Sequence, residues 1–197
     1  MRYKHELPND DVFYEKRYFT PGPLPEPLTI KGISIGVPIC EDIWHAPVCR
    51  ALAKGGAELL LCPNGSPYWR FKHTTRRRLV TDRCAETGLP MLYLNQVGGQ
   101  DELVFDGASF GFDKDGKLAF EGESFKTDFV VTDWHKVDGH WRCEGGPMVE
   151  LVSVDEAPWR AMVLGLRDYL GKNGFKKVVM GLSGGIDSAV VAAIAVD

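Results

Sequence analysis

The stretch LTIKGISIGVPICEDIWHAPVCRALAKGGAELLLCP, residues 28–63, decides the fold class. Residues 28–39 are β-branched and alternate in polarity, which reads as a strand or as a hairpin turning at Gly32. In CEDIWHAPVCRALAKGG (40–56), Ile43, Val48, Ala51 and Leu52 fall near one face of a helix, which Gly55 and Gly56 close. AELLLCP (57–63) is a short apolar run, hence a buried strand. Further on, a helix is predicted over about 69–87, ending near Gly88, and LPMLYLNQVG (89–98) is the next strand. Strand, helix, strand, helix, strand is the pattern of an α/β layered domain.

Either side of this unit the reading continues. Residues 1–27 are polar and hold PGPLPEP at 21–27, so they form a loop or strap. ELVFDGASFGFDKDGKLAFEGE (102–123) reads as hairpins with a turn at Lys114-Asp115-Gly116-Lys117. TDFVVTDW (127–134) reads as a last strand. Periodicity then lapses, and glycines and a proline mark an interdomain linker over 135–154. DEAPWRAMVLGLRDYLGKNG (155–174) is an amphipathic helix with Asp155 or Ser153 as N-cap and Trp159, Met162, Val163, Leu166, Tyr169 and Leu170 on one face. KKVVMGL (176–182) is a predicted strand, SGGIDS (183–188) a glycine-rich loop, and AVVAAIAVD (189–197) the start of a helix. One helix, one strand and part of another helix do not make a parallel-sheet domain. The expected division is therefore a partial domain over 1–134, a linker over 135–154 and the opening piece of a second domain over 155–197.

The formal net charge of −4 speaks against broad binding to nucleic acid or an anionic membrane, because both need a basic surface. The one dense basic run, Arg76-Arg77-Arg78, lies in a helical stretch and reads as a solvated or ion-paired face. Five cysteines without a C-x-x-C pair give little support to a disulfide framework or a zinc site. Free thiols fit a reducing compartment. MRYKHELPND lacks the apolar core of a signal peptide, and no run has the length of a membrane-spanning helix. A cytoplasmic protein is expected.

Two places carry chemistry. Cys40 sits where a strand ends and a helix begins; helix N–H groups there lower a thiol's pKa, and the sharp turn exposes the sulfur. Position alone leaves a small buried hydrophobe as an equal alternative. A lysine such as Lys4 can stabilise the oxyanion of a tetrahedral intermediate, although a lone lysine is more often a surface charge. Ser183-Gly184-Gly185-Ile186-Asp187-Ser188 follows a predicted strand and opens a helix, where successive N–H groups form an anion nest. It is not a Walker A loop.

KHELPNDDVFYEKRYF (4–19) and GVPICEDIW (36–44) resemble the nitrilase, or carbon–nitrogen hydrolase, superfamily, whose members use a Glu–Lys–Cys triad in an α-β-β-α sandwich. The resemblance implies that Cys40 is the nucleophile, Lys4 the oxyanion stabiliser and Glu15 a second, supporting glutamate. The family's general-base glutamate lies N-terminal to the lysine segment. Only three residues precede Lys4, so the base is expected to be absent and the chain by itself to have little or no synthetase activity. NGSPYW (64–69) resembles the substrate-side loop of glutamine-hydrolysing members, which implies that Ser66, Lys72 and Glu41 hold the amino-acid head of glutamine. Phe13 matches an aromatic lining position, and Asp10 stands where many relatives carry tyrosine. YLNQVGGQDELVFDGASF (93–110) is similar to the same subgroup, with Asp106-Gly107 shaping a loop at the site's edge.

SGGIDS resembles the pyrophosphatase loop of ATP-cleaving ligases. That implies that Ser183, Gly184, Gly185 and Ser188 cradle the ATP phosphates and that Asp187 helps to place Mg2+. The implied fold is the C-terminal part of a nitrilase-like sandwich followed by the start of a Rossmann-like parallel-sheet ATP pyrophosphatase domain. Together the segments resemble the family of glutamine-dependent NAD+ synthetases, in which ammonia released from glutamine amidates deamido-NAD+ at the expense of ATP. Linkage of the two sites keeps the ammonia from diffusing away. The resemblance also implies a homo-oligomer in the full-length form. A stand-alone nitrilase-type amidase and a non-catalytic truncated paralogue are the alternatives. SGGIDS after a predicted strand speaks against the first, and the presence of both Cys40 and SGGIDS against the second.

Overall fold

The structure, a computed structural model, describes residues 1–9 and 12–197. Asp10 therefore lies outside the described residues. The hairpin at Gly32 forms: β1 (Leu28–Ile30) and β2 (Ile33–Gly36) pair antiparallel across Lys31 and Gly32, both at positive φ. Such a turn matches the twist of the two strands it joins. The helix expected directly after the second strand divides into two. A 3-10 helix covers Cys40–Ile43, and α1 (Ala46–Lys54) starts only where Pro47 can occupy the first turn. Then follow β3 (Leu59–Asn64), α2 (Lys72–Thr87) and β4 (Met91–Asn95), with Gly88 closing α2 in the left-handed region.

β2, β3 and β4 are parallel, so α1 and α2 are crossover helices, and they pack on each other. β5 (Val97–Gln100) and β6 (Leu103–Asp106) form a separate hairpin. β7 (Phe110–Phe112) and β8 (Leu118–Glu121) extend the main sheet antiparallel, giving the order β1-β2-β3-β4-β7-β8. The core under this mixed sheet includes Ile43, Val48, Leu52, Leu60, Val80, Met91 and Phe110. On β3 and β4 the helix-facing positions are Leu60, Cys62, Asn64 and Met91, Tyr93, Asn95. Both rows turn from apolar to polar at their carboxyl ends, where Asn64 and Asn95 lie side by side. In α/β sheets that end is where sites form.

The expected strand over 127–134 is not formed. The next strands are β9 (Asp133–Val137) and β10 (His140–Glu144), a hairpin within the stretch read as a linker. Phe129 is 89% exposed and Val131 69%. The outer edge of β8 is bonded instead by the segment after β10: Glu121 donates its N–H to Pro147 O at 2.8 Å and accepts from Val149 at 3.2 Å. With that edge taken, the alternation of 127–134 has no ladder to join.

α3 (Ala157–Asn173) is present, but its N-cap is Glu156 and not Asp155 or Ser153; Ser153 Oγ accepts the N–H of Glu156 at 3.2 Å, just outside the helix. Its buried face differs from the one the periodicity predicts: Met162 and Tyr169 are exposed, and Ala161 and Leu164 are buried. The helix packs on β5 and β6 with Val97, Val104 and Phe125. Close approach through Gly99 and Gly165 sets this rotation. A Cβ on Gly99 would lie 2.9 Å from Gly165 Cα, and Asp168 Oδ2 accepts the Gly99 N–H at 2.7 Å. Gly165 and Ala161 thus face the hairpin together with Leu164, and Met162 and Tyr169 are turned away. Gly99→Ala is expected to push α3 outward, because the clash is with backbone, and to destabilise by about 1–3 kcal/mol. Amide exchange should accelerate through α3 while α2 keeps its protection.

The expected strand over 176–182 is likewise absent, and Val179 and Leu182 are exposed. α4 (Ile186–Val196) follows and touches α3. No helix among the described residues is long and apolar enough to cross a membrane.

Candidate functional site

The carboxyl ends of β2, β3 and β4 open into a cavity of about 800 Å³. That size suits a small-molecule site. Cys40 follows β2 and lines the floor beside Lys4 and Glu15 from the N-terminal strap. Cys40 adopts φ 46°, a left-handed conformation that disfavours residues with a Cβ by roughly 1–2 kcal/mol. Such strain at a strand-to-helix corner holds a side chain out of the turn toward the cavity.

Lys4 Nζ donates to both oxygens of Glu15, at 2.9 and 2.8 Å. A carboxylate gripping both sides fixes where the ammonium sits. Expectation and structure part over the Cys40 thiol. The helix dipole was expected to lower its pKa, but burial pushes it up, and the Lys4 charge and the Gly65 N–H only partly pull it back. Cys40–Ile43 is a short 3-10 helix, so it carries little dipole to oppose desolvation.

Glu41, Ser66, Lys72 and Phe13 line the same cavity. Lys72 is buried, with Nζ 4.7 Å from the Trp44 ring centre and 2.8 Å from that of Trp69. The aromatic faces hold the ammonium at the cavity wall. Ser66 Oγ accepts from Arg76 Nε at 3.1 Å and also hydrogen-bonds the Tyr93 side chain. Seven residues singled out between positions 4 and 72 thus meet in one cavity.

Residues 1–135 match the family model described as carbon-nitrogen hydrolase. The chain belongs to the carbon–nitrogen hydrolase family. Residues 158–197 match a second model, NAD synthase, so this carbon–nitrogen hydrolase fold is followed by the start of an NAD synthase domain. The chain is 53% identical over 98% of its length to the glutamine-dependent NAD(+) synthetase of Rhodobacter capsulatus, covering 35% of that protein. It is 47% identical over 98% of its length to that of Xanthomonas campestris pv. campestris, covering 36%. It superposes on the glutamine-dependent NAD+ synthetase from Acinetobacter baumannii, solved in complex with ADP, with a TM-score of 0.89 at 37% identity, covering 98% of this chain and 36% of that one. The chain thus spans about a third of the length of the curated relatives it matches.

Several residues that build this cavity escaped the sequence reading. Arg76 was read as part of a solvated or ion-paired face; it is ion-paired but buried. It bonds Asp106 with Nη1 at 2.8 Å to each oxygen, and Ser66 O and Pro67 O with Nη2 at 2.7 and 3.0 Å. The signal was available in the spacing: Lys72, Arg76, Val80 and Cys84 form an i, i+4 stripe, buried throughout, whose charged end points at the cavity. Asn95 donates to Ser66 O at 3.2 Å and accepts the Ser66 N–H at 2.9 Å, fixing the loop after β3. Asp106 closes this network from β6.

Ser183–Ser188 contributes to neither this cavity nor the smaller one beside α2. The loop is exposed. Gly184 has φ 85°, Gly185 caps α4, and Ser183 Oγ lies 3.1 Å from Ser188 Oγ. Asp187 stands in the first turn of α4.

Proposed function

We propose that this chain carries the nucleophile of a glutamine amidase, followed by the opening of an ATP-cleaving ligase that makes NAD+ from deamido-NAD+. The observation that carries the reading is the convergence of Cys40, Lys4, Glu15, Glu41, Ser66, Lys72 and Phe13 on one cavity. The proposed division is 1–134, 135–154 and 155–197. The Cys40 sulfur attacks the side-chain carboxamide carbon of glutamine. Negative charge gathers on the amide oxygen, where the Lys4 ammonium, held by Glu15, stabilises it. With the thiol proton passed to the departing nitrogen, collapse of the adduct expels ammonia and leaves a thioester, which water cleaves to glutamate and the free thiol. Lys72 and Ser66 suit the α-carboxylate of glutamine and Glu41 its α-ammonium. Ammonia then serves the ligase, where ATP activates the carboxylate of deamido-NAD+.

Ser183, Gly184, Gly185 and Ser188 are the residues assigned to the ATP phosphates, since exposed N–H groups and hydroxyls at the start of α4 suit an anion. Mg2+ is bound through one or two carboxylates and the substrate phosphates, and the single carboxylate of Asp187 fits that mode. A cytoplasmic, homo-oligomeric enzyme is the corresponding setting.

The test is mass spectrometry after exposure to a chloroketone analogue of glutamine. Modification confined to Cys40 and blocked by free glutamine is the expected result. Equal modification of Cys40 and Cys143, indifferent to glutamine, would remove the amidase reading.

A further inference from the structure

Lys4 stands on a strap with little regular structure, yet its charge must meet a cysteine that follows a strand 36 residues later. Glu15 belongs to the same strap, so it cannot by itself set the strap against the sheet. Asp42 can. It lies two residues after Cys40 and is fully buried, at 0% exposure. Its Oδ1 accepts the backbone N–H groups of His5 at 3.0 Å and Glu6 at 2.7 Å. Its Oδ2 accepts the N–H of Ile39 at 2.9 Å and Arg2 Nη2 at 2.5 Å. Arg2 reaches on to Val37 O through Nε at 2.8 Å. One carboxylate therefore ties the residues flanking Lys4 on both sides to those flanking Cys40.

We infer that Asp42, clamped by Arg2, is the positioning residue that sets the Lys4 ammonium against the Cys40 sulfur. The inference rests on the amidase reading of Lys4 and Cys40. Its chemistry is specific to a carboxylate. All four groups facing Asp42 are N–H donors, two on each oxygen, and an amide offers one oxygen and one NH2. Asp42→Asn must therefore set an NH2 against either the His5–Glu6 pair or the Ile39–Arg2 pair, whichever way it turns. One orientation releases the His5 and Glu6 amides and the other releases Arg2, so either way the strap loses part of its hold on the corner. The titratable groups near Asp42 and Cys40 are Arg2, Lys4, His5, Glu6 and Glu15 on the strap, Glu41 on the corner, Cys49 on α1, Cys62 on β3 and Tyr93 on β4.

The experiment measures the rate of Cys40 alkylation by iodoacetamide against pH, read by mass spectrometry of the Cys40 peptide, in the whole chain. Lys4→Met should move the midpoint to higher pH and slow alkylation at pH 8 by roughly three- to tenfold, because a cation beside a thiolate is lost. Asp42→Asn should move it in the same direction, and the Lys4→Met/Asp42→Asn double variant no further than Lys4→Met alone. A merely structural role for Asp42 would lower the melting temperature without moving the midpoint, or would add to the shift of Lys4→Met; either overturns the inference. If Asp42→Asn gives no cooperative melt, Arg2→Met, which removes one of the four donors, decides. A smaller shift in the same direction supports the positioning role, and no shift overturns it. Failure of Lys4→Met itself to move the midpoint would instead sink the role of Lys4, and with it the amidase reading.

Discussion

Arg76→Met is expected to remove about 3–5 kcal/mol from the free energy of unfolding, the range for breaking one side of a buried ion pair. Arg76 is 1% exposed, and its guanidinium makes five hydrogen bonds: two to Asp106, one to Ser66 Oγ and one each to Ser66 O and Pro67 O. A methionine fills much of the volume but leaves the Asp106 carboxylate without its guanidinium and the Pro67 carbonyl facing no donor, while the Ser66 carbonyl keeps only Asn95 Nδ2 at 3.2 Å. Asn95 Nδ2, at 3.4 Å from Asp106, is too distant to take over. Arg76→Lys should recover little, because a single ammonium cannot reproduce a planar fork. Urea unfolding of the three proteins measures the difference. A loss below about 1 kcal/mol for the methionine variant would show that the pair is solvated rather than structural. Replacing Asp106 by leucine in the Arg76→Met background should restore part of the loss, since the uncompensated charge is gone. The loop carrying Ser66 rests on this clamp, so glutamine protection of Cys40 should weaken in parallel.

Cys40→Ala is expected to abolish glutamine-protectable labelling by the chloroketone, a fall of at least about 100-fold in adduct. The other thiols are poor substitutes for physical reasons. Burial pushes Cys49 and Cys84 up to about 12. At pH 8 such a thiol is thiolate to the extent of about 1 part in 10⁴. Cys62 is wholly buried and its thiol is raised well above the ordinary range. Cys143 is half-buried on β10, outside the cavity, so residual label in the alanine variant should fall there and ignore glutamine. Label reaching Cys62 instead, with glutamine protection, would place the reactive sulfur on β3 and overturn the assignment of Cys40.

The candidate site was legible in the sequence mainly through the family resemblance, whose motifs are local; residue chemistry alone left Cys40 and Lys4 open. The corner ICEDIW, the strap KHELP and the loop NGSPYW each hold their chemistry within a few residues, and the cavity gathers all three. What was not legible is how they are held. Asp42 reads as one more acidic residue in a turn until four N–H donors from positions 2 to 39 are seen to face it. Arg76 reads as one of three arginines until Asp106 arrives from β6.

The sequence by itself determined the alternation of strand and helix over residues 28–95, the turn at Gly32 if a hairpin forms, the corner at Cys40 and the glycine that ends α2. These follow from side-chain periodicity and turn chemistry, which act over a few residues. The division of 40–56 into a 3-10 helix and α1, and of 89–98 into β4 and β5, it did not determine. Tertiary structure alone decided the rest. Of the two segments read as strands, 127–134 contributes only Asp133 and Trp134 to β9 and 176–182 forms none, because a strand needs an edge to pair with. α3 turned Gly165 and Ala161 inward because β5 offers glycine backbone, a property of the neighbour and not of the helix. The Cys40 thiol rises instead of falling, because desolvation sums over everything packed around the sulfur, whereas a sequence reports only what adjoins it in the chain.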